Sequence, residues 1–486
     1  MKFVKEDVAE VMKEVPDVQY YYFGGNGEPN PYQNVPIDEP VLNNIPAPHI
    51  VEPKMRFSKL ENGLRIVSVD KQGLVSQLGL FVNAGSRYEQ PGEYGVSHMV
   101  ELMAYHSTAH LGHLRTIKTI EALGANATCQ AGREHIMYHI ETLRDQMPIM
   151  VPLLLGNTLF PRLLPWEVNR VQQYVEASNK KLREAPEKYI MELLYQTAFH
   201  NNTLGNTTLA GKSSLEYFNP DTIRAYMLNH FSMDRTALVG VNVDHDELCK
   251  WAMRAYAEYT PIQHVSRAEV KPVYTGGAKL SEDESVPHAV HVAIGFGCEG
   301  WNSGDLVPLT VLQTLLGGGG SFSSGGPGKG MHSRLYTEVM QQYHFVENCV
   351  ALNEQHSDGG LFGIYLSGSA QDASKLVEIA LNQVKSLNKF SSEELNRAKK
   401  TLKGTICTHS DSPRVLMEDV GRQLLMSGKV QTAADFSALI DKVTEADLVR
   451  VAKKITAQPV TYVVHGNSKF APHANAVSSA FASIKL

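Results

Sequence analysis

The sequence has little cysteine, no long apolar run and no excess of basic charge. Its 5 cysteines, among 486 residues, include no CxxC pair, so a disulfide-stapled domain and a cysteine zinc site are both disfavoured. Reduced thiols indicate a cytosol-like or matrix-like compartment. Because no stretch reaches the roughly 18 apolar residues of a membrane helix, we expect no direct membrane span.

The charge balance argues against one class of partner. The chain has 45 Lys+Arg against 51 Asp+Glu, a formal net charge of −6. A nucleic-acid-binding protein usually shows a basic face or a high pI, so we predict no nucleic-acid partner. The N-terminal residues 1–30 contain no arginine and many acids, unlike an arginine-rich, acid-poor transit peptide. A targeting signal that has been removed, one that is internal and no signal at all stay open as alternatives.

The order of predicted elements repeats after about 200 residues. A strand, turn and helix at 77–105 correspond to the same series at 291–316, and each half later has two helices interrupted near a proline, Pro186 or Pro413. Apolar strands that alternate with amphipathic helices are typical of α+β domains. We therefore predict two homologous α+β domains, which form a clamshell with a central cavity, since clefts between domains often bind ligands.

Changes in composition indicate the domain boundaries. A segment at 20–48 rich in Pro, Asn, Gly and Tyr predicts an N-terminal extension, and an arm that wraps a neighbour and a loose tail stay open as its two interpretations. Prolines and glycines at 261–277 predict a linker. The predicted divisions are an arm at 1–54, a first domain at 55–262, a linker at 263–280, a second domain at 281–470 and a C-terminal tail at 471–486.

One predicted helix, 95–104, contains part of a zinc-peptidase motif. In H-x-x-E-H the two histidines hold zinc, and the glutamate polarises the attacking water. His98 and Glu101 match this pattern, but Leu102 stands where the second histidine belongs. Because leucine has no lone pair to donate, we predict a degenerate site, without a metal ligand set and without catalytic residues.

Three more histidines follow this helix, at His106, His110 and His113. None of them can replace Leu102, because His106 would lie about 12 Å from His98 along a continuous helix. We interpret the three as solvated loop residues, and a separate metal site formed by them stays open as the alternative.

A glycine-rich segment is the second notable feature. Residues 317–330 read GGGGSFSSGGPGKG, and a segment with so few side chains exposes backbone amides that can bind an extended peptide or an anion. Long loops inside domains are usually functional. A phosphate loop is disfavoured, because neither end matches G-x-x-x-x-G-K-[ST]. The predicted substrate-binding residues are Gly317, Gly318, Gly319, Gly320, Ser321, Phe322, Gly325, Gly326, Gly328, Lys329 and Gly330.

These features together resemble the pitrilysin-type inverzincin family of metallopeptidases, and in particular the non-catalytic subunits of its heterodimeric mitochondrial processing peptidases. The resemblance covers about residues 55–470 and rests on the segments 81–87, 95–104, 316–336 and 418–423. It implies that a third zinc ligand, a glutamate, comes from a later helix, where Glu176 matches. His98, Glu101 and Glu176 would then be relic positions of a lost zinc site.

The resemblance also implies a function, partners and a location. The chain would be a substrate-recognising, catalytically inactive subunit without a cofactor of its own, in a zinc metalloendopeptidase. A catalytic beta subunit would carry the zinc, and the glycine-rich loop would bind basic mitochondrial presequence peptides in the matrix.

Such pairs also form core subunits of respiratory complex III, on the matrix face of the inner membrane, which would add cytochrome b and cytochrome c1 as partners. Two alternatives to the leading hypothesis stay open. One is a purely structural core subunit of complex III without processing activity. The other is a self-sufficient metallopeptidase, against which Leu102 argues directly.

Overall fold

The computed structural model describes residues 54–257, 270–283, 286–320 and 331–483. The strands in these ranges form two six-stranded sheets, one in each half of the chain. The first sheet contains β1 (Lys54–Lys59), β2 (Arg65–Asp70), β3 (Val75–Val82), β4 (Asn126–Ala131), β5 (Ile136–Leu143) and β6 (Thr236–Val241). The second contains β7 (Gly277–Glu282), β8 (Ala289–Cys298), β9 (Gly318–Gly320), β10 (Val346–Gln355), β11 (Gly360–Ser369) and β12 (Thr461–Gly466).

The two sheets repeat one arrangement of strands. The order β2-β6-β3-β5-β4 in the first sheet corresponds to β7-β12-β8-β11-β10 in the second. In each series the first pair is parallel and the later pairs are antiparallel. The prediction of two homologous α+β domains is therefore confirmed. Strand β1 is added at one edge of the first sheet, and β9 is added at the opposite edge of the second.

Helices cover both sheets. In the first half they are α1 (Val96–Leu102), α2 (His113–Ala122), α3 (Met147–Leu159), α4 (Pro165–Arg183), α5 (Pro186–Ala198), α6 (Pro220–His230) and α7 (His245–Ala257). In the second half they are α8 (Leu306–Leu316), α9 (Ala373–Lys385), α10 (Ser392–Asp411), α11 (Pro413–Ser427), α12 (Ala433–Lys442), α13 (Glu445–Thr456) and α14 (Ala474–Ala482). No helix in the described ranges is long and apolar enough to cross a membrane.

The ends of the two halves differ in detail from the predicted divisions. Strand β7 begins inside the predicted linker and pairs with β12 over its whole length. Helix α14 lies inside the predicted C-terminal tail, where Val477 and Phe481 are buried in the core of the second half. Nearly all of the predicted arm lies outside the described residues.

The two halves exchange one helix each. Both exchanged helices start at a proline, Pro186 or Pro413, in the first helical position, where the missing N–H breaks no hydrogen bond. Helix α5 packs on the second sheet, where Leu194 is buried with residues of β8, β11 and β12. Helix α11 packs on the first sheet, where Met417 is buried against Phe81.

This exchange fastens the halves together with apolar contacts. Each fully buried leucine, methionine or phenylalanine contributes about 1.5–3 kcal/mol. Gly421 allows the close approach of α11, because a β-carbon there would overlap the ring of Phe81. The same two helices also bring polar residues of both halves to a shared cavity.

Candidate functional site

The degenerate motif lies at a helix whose start is held in place by a buried glutamate. Gly95 precedes α1 with a φ of 92°, a left-handed value that glycine adopts without strain. The Glu89 carboxylate accepts hydrogen bonds from the backbone N–H groups of Gly95 (2.7 Å) and Ser97 (2.8 Å). It also accepts one from the Ser97 hydroxyl at 2.6 Å. Because these donors lie in the first turn of α1, they fix the direction in which His98 projects.

His98 is buried between α1 and α4, with 4% of its surface exposed. Its Nδ1 accepts a hydrogen bond from the backbone N–H of Ala210 at 3.2 Å, and its Nε2 lies 3.3 Å from the Ser178 hydroxyl. Burial lowers the pKa of His98 to about 4. The imidazole is therefore neutral near pH 7 and is hydrogen-bonded to the Ser178 hydroxyl.

The predicted third relic position does not accompany His98. Glu176 is exposed, and it precedes Ser178 by two residues, which is about 200° around an α-helix. Helix α4 thus presents Ser178, and not Glu176, to the histidine. The structure therefore does not bring the predicted relic position Glu176 together with His98, and the sequence alone does not show which residue of α4 faces α1.

The other two motif positions have acquired structural roles. The Glu101 carboxylate accepts a hydrogen bond from the backbone N–H of Ala131 at 3.0 Å, so it braces the end of β4. Burial raises the pKa of Glu101. Leu102 is half-buried and packs against the apolar core of the first half. Across the described ranges, no three His, Cys, Asp or Glu side chains are arranged to hold a metal ion.

The three nearby histidines are only partly solvated. The rings of His106 and His113 stack with their centroids 4.2 Å apart, and both residues are half-buried. His110 is exposed and lies edge-on to the ring of Phe160. The interpretation as solvated loop residues therefore holds for His110 alone.

A cavity of about 750 Å³ lies between the two halves. It is bounded by β4, β5 and α5 from the first half and by β10, β11 and α11 from the second. Five glutamates and three basic residues line it: Glu134, Glu187, Glu192, Glu354, Glu418, Arg133, Lys188 and Arg422. The lining thus has a formal excess of acidic over basic residues, and such an excess favours a cationic ligand.

Ion pairs next to this cavity link the two halves. Arg87 binds both carboxylate oxygens of Asp358, at 2.9 and 3.0 Å, across the interface. The same guanidinium also contacts Glu134. Burial alone would raise the pKa of Glu134, but His356, Arg87 and a serine hydroxyl together lower it to about 2. Glu134 is therefore ionised at all physiological pH values.

A second buried arginine stands beside this group. Arg133 donates a hydrogen bond to the Glu192 carboxylate at 2.8 Å, and its guanidinium lies over the ring of Tyr195 at 4.1 Å. The Tyr195 hydroxyl in turn lies 3.0 Å from Nε2 of His356, in the second half. These contacts make the floor of the cavity a continuous polar network across the interface.

The glycine-rich segment begins at the edge of the same cavity. Strand β9 pairs with β10, with Gly318 opposite Val350 and Gly320 opposite Asn348. Both Asn348 and Val350 line the cavity. The predicted substrate-binding glycines Gly317, Gly318, Gly319 and Gly320 are therefore adjacent to it, whereas Ser321, Phe322, Gly325, Gly326, Gly328, Lys329 and Gly330 lie outside the described residues.

At two of these positions, Gly317 and Gly318, the backbone conformation and the close neighbours leave no room for a side chain, whereas at Gly319 there is room. Gly318 has a φ of +116°, and a β-carbon there would overlap the carbonyl oxygen of Cys349. Gly317 has a φ of +59°, and its β-carbon would overlap Ser333. A β-carbon on Gly319 would meet nothing within 4 Å. The local backbone thus explains why positions 317 and 318 are glycines, whereas it places no such requirement on Gly319.

We expect Gly318→Ala to loosen the pairing of β9 with β10 by about 1–3 kcal/mol, because the side chain forces a strained backbone and a clash. Amide hydrogen exchange across Val346–Gln355 should become about tenfold faster or more. Gly319→Ala is the matched control and should leave exchange unchanged. Equal exchange in the two variants would contradict the role given to Gly318.

Comparison with known proteins agrees with this description. The family model for Insulinase (Peptidase family M16) matches residues 65–212, and that for the Peptidase M16 inactive domain matches residues 217–402. The chain is 34% identical to a mitochondrial-processing peptidase subunit alpha from Solanum tuberosum, over 92% of this chain and 90% of that protein. It is 31% identical to the protein of the same name from Bos taurus, over 96% of this chain and 93% of that one.

A solved structure shares the fold. A chain of complex III2 from Candida albicans, bound to Inz-5, superposes with a TM-score of 0.75 and covers 88% of this chain and 100% of its own length, at 19% identity. This likeness concerns the fold alone. The family matches and the relatives above 30% identity show that the chain belongs to peptidase family M16, in which it is similar over most of its length to alpha subunits of mitochondrial-processing peptidase.

Proposed function

We propose that this chain is the non-catalytic, substrate-recognising subunit of a mitochondrial processing peptidase, and that it binds basic presequence peptides for cleavage by a zinc-bearing beta-type partner. The observation that carries this proposal is the acidic cavity between the halves, with a glycine strand at its edge. Each part of the proposal follows from the chemistry of one part of that site.

Four of the five carboxylates of the cavity divide into two groups. Glu134 and Glu192 are paired with buried arginines, so they stabilise the walls and carry little free charge. Glu187 and Glu354 are exposed, and Glu187 accepts a hydrogen bond from the neutral amide of Asn348 at 2.9 Å. Because a neutral donor leaves the charge in place, these exposed carboxylates are available to bind arginine side chains of a peptide.

The glycine strand supplies recognition that does not depend on sequence. An extended peptide can add to the edge of a sheet through main-chain hydrogen bonds, and β9 is one of the two edge strands of the second sheet in the described ranges. Glycines place no side chains in the way. Presequences that share basic charge but little sequence would therefore fit one site.

Hydrolysis itself requires a different chain. Catalytic zinc normally has three protein ligands, and the groove between α1 and α4 offers His98 beside a leucine and a serine. These residues do not fit a catalytic zinc. We place the zinc in a beta-type subunit, as the name alpha of the relatives implies, and we place the pair in the mitochondrial matrix.

Binding of an arginine-rich presequence peptide tests this proposal. We expect the double variant Glu187→Gln and Glu354→Gln to weaken binding about tenfold at low salt, because it removes two exposed negative charges that attract the basic peptide. Fluorescence anisotropy of a labelled peptide, measured at several salt concentrations, gives the affinities. The variant should also show a weaker dependence on salt.

The control for this experiment changes the net charge equally but elsewhere. Glu121 and Glu378 are exposed and lie outside the cavity lining. The double variant Glu121→Gln and Glu378→Gln should bind the peptide as the unaltered chain does. If both double variants lose affinity equally, only the overall charge matters and the cavity is not the binding site.

A further inference from the structure

Two buried histidines lie side by side where α5 covers the second sheet. His291 on β8 and His465 on β12 are directly opposite each other in the antiparallel pairing of these strands. Their ring centroids are 6.2 Å apart, and the two residues are 7% and 2% exposed. Ala293 packs with α5, and alternate residues of a strand project to the same face. Both histidine rings therefore lie on the face of the sheet that α5 covers.

The two rings differ in their hydrogen bonds. Nδ1 of His291 lies 2.8 Å from the Tyr365 hydroxyl. Both ring nitrogens of His465 are shielded from solvent, and neither has a hydrogen-bond partner of normal length within the described ranges. A carboxylate oxygen of Asp283 lies 3.7 Å from its Nε2, which is too far for a hydrogen bond. A buried polar group without a partner costs stability, so the His465 ring would gain from contact with water.

The start of α5 contacts this pair of histidines. The Tyr189 ring stands edge-on to the ring of His465, with the centroids 4.9 Å apart, and Tyr189 is half-buried. Helix α5 begins at Pro186, so Tyr189 lies near its end, whereas Leu194 is fully buried further along. Helix ends open at a lower cost in free energy than helix centres. The first turns of α5 can therefore leave the sheet while the rest of the helix stays in place.

The charged groups around the pair do not outweigh its burial. Burial lowers the pKa of both histidines, and that of His291 falls to about 4. Glu187 on α5 acts against this for His291, and Asp283 and a backbone group of β7 act against it for His465. Lys279, also on β7, donates instead to a glutamine side chain of α5 at 3.1 Å. Both imidazoles are therefore neutral near pH 7.

We propose that His291 and His465 form an acid-sensitive release for α5, in which protonation detaches the first turns of this helix from the second sheet. A charged imidazole is poorly tolerated where it is buried, and two charges on adjacent rings repel each other. Protonation therefore accompanies exposure of the rings, for which Tyr189 must move. Because α5 connects the two halves and lines the cavity between them, its release loosens that wall. This inference concerns the fold alone and does not depend on the proposed function.

The direction of the pH effect follows from the two states of the helix. In the opened state the rings should titrate near the usual histidine pKa of about 6.5. Between that value and about 4, the opened state binds more protons than the closed state at His291. The closed state is therefore fully favoured above about pH 6.5 and loses stability as the pH falls below it. From about pH 7.5 to about pH 5.5, each histidine should increase the opened fraction about tenfold.

Amide hydrogen exchange across Pro186–Ala198, corrected for the intrinsic effect of pH on exchange, measures this opening. Protection of the first turns should fall about tenfold or more from about pH 7.5 to about pH 5.5. Helix α9 packs on the opposite face of the same sheet and is the internal reference, which should keep its protection. The double variant His291→Gln and His465→Gln should limit the fall in α5 to about twofold or less.

A second double variant is the matched control. His98 on α1 and His139 on β5 lie in the first half, and burial likewise lowers the pKa of each to about 4. The double variant His98→Gln and His139→Gln should keep the loss of α5 protection in acid. An acid response that survives in His291→Gln with His465→Gln would overturn the inference. So would a response that disappears equally from the control, because it would then reflect general acid destabilisation.

A measurement on the unaltered chain covers the case in which the first double variant does not fold. Deuterium exchange at the C2 carbon of each imidazole, followed by mass spectrometry against pH, gives the titration midpoint of every histidine. The midpoints of His291 and His465 should lie below the usual value of about 6.5, and α5 should lose protection in the same samples as the pH falls. A normal midpoint at either histidine while α5 stays protected would show that the ring accepts a proton without release of the helix, and would overturn the inference.

Discussion

Arg87→Met is expected to lower the free energy of unfolding by about 3–5 kcal/mol, because it leaves the buried Glu134 carboxylate without its arginine partner. The Arg87 and Glu134 side chains are 3% and 5% exposed, so water cannot replace the lost partner. The variant also loses the paired contact with Asp358 across the interface. Guanidinium-induced unfolding, followed by circular dichroism, measures the loss.

An exposed arginine of similar geometry is the control for this prediction. Arg56 binds both oxygens of Asp246, each at 2.8 Å, but the two side chains are 51% and 73% exposed. Arg56→Met should leave the free energy of unfolding nearly unchanged, because exposed ion pairs contribute little to stability. Equal losses in the two variants would show that the interdomain ion pairs do not stabilise the fold more than exposed ones.

The loss of Arg87 should also weaken peptide binding in the cavity. Glu134 accepts hydrogen bonds from the backbone and the hydroxyl of Ser357, at 2.9 and 2.6 Å, and these bonds cross the same interface. When the arginine is absent, the two walls keep the bonds between Ser357 and Glu134 but lose the contact between Arg87 and Asp358, so their separation is less firmly fixed. We therefore expect peptide affinity to fall together with stability, while Arg56→Met leaves both unchanged.

The second large effect is a gain of metal binding. Leu102→His combined with Ser178→Glu should bind one zinc ion per chain, because His98, the new histidine one turn away and the new glutamate on α4 together supply three protein ligands. Zinc content after dialysis, measured by inductively coupled plasma mass spectrometry, gives the result. The unaltered chain should retain none above background.

The single variant Leu102→His is the matched control. It should remain well below stoichiometric zinc, because Glu176 lies about 200° away from Ser178 around α4 and cannot reach the site. Glu176→Gln in that background should change nothing. Stoichiometric zinc in Leu102→His that is lost with Glu176→Gln would contradict the register of α4 described above.

The sequence predicted the parts of the fold that depend on local pattern. The strands, the amphipathic helices and the repetition of the two halves follow from apolar periodicity, and the breaks at Pro186 and Pro413 mark real helix starts. The exchange of α5 and α11 between the sheets was not predicted. An apolar helix face shows that the helix packs on something, but it does not show on which sheet.

The candidate site likewise contains features that local sequence predicts and contacts that it does not predict. The loss of a ligand at Leu102 is visible in the sequence, because the motif lies within one helix turn. The contact of His98 with Ser178 spans 80 positions, and that of Arg87 with Asp358 spans 271. No local signal reports such pairs. Strand β9 was missed for another reason, since three glycines have no strand propensity and are held there by β10.

The central claim is that this chain recognises the substrate and a partner performs the hydrolysis. The most direct measurement is cleavage of a presequence peptide by this chain alone, by a zinc-bearing beta-type subunit alone and by the reconstituted pair, with zinc content determined for each. The account predicts cleavage by the pair, little or none by either chain alone, and zinc only with the beta-type subunit. Stoichiometric zinc and peptide cleavage by this chain alone would contradict it.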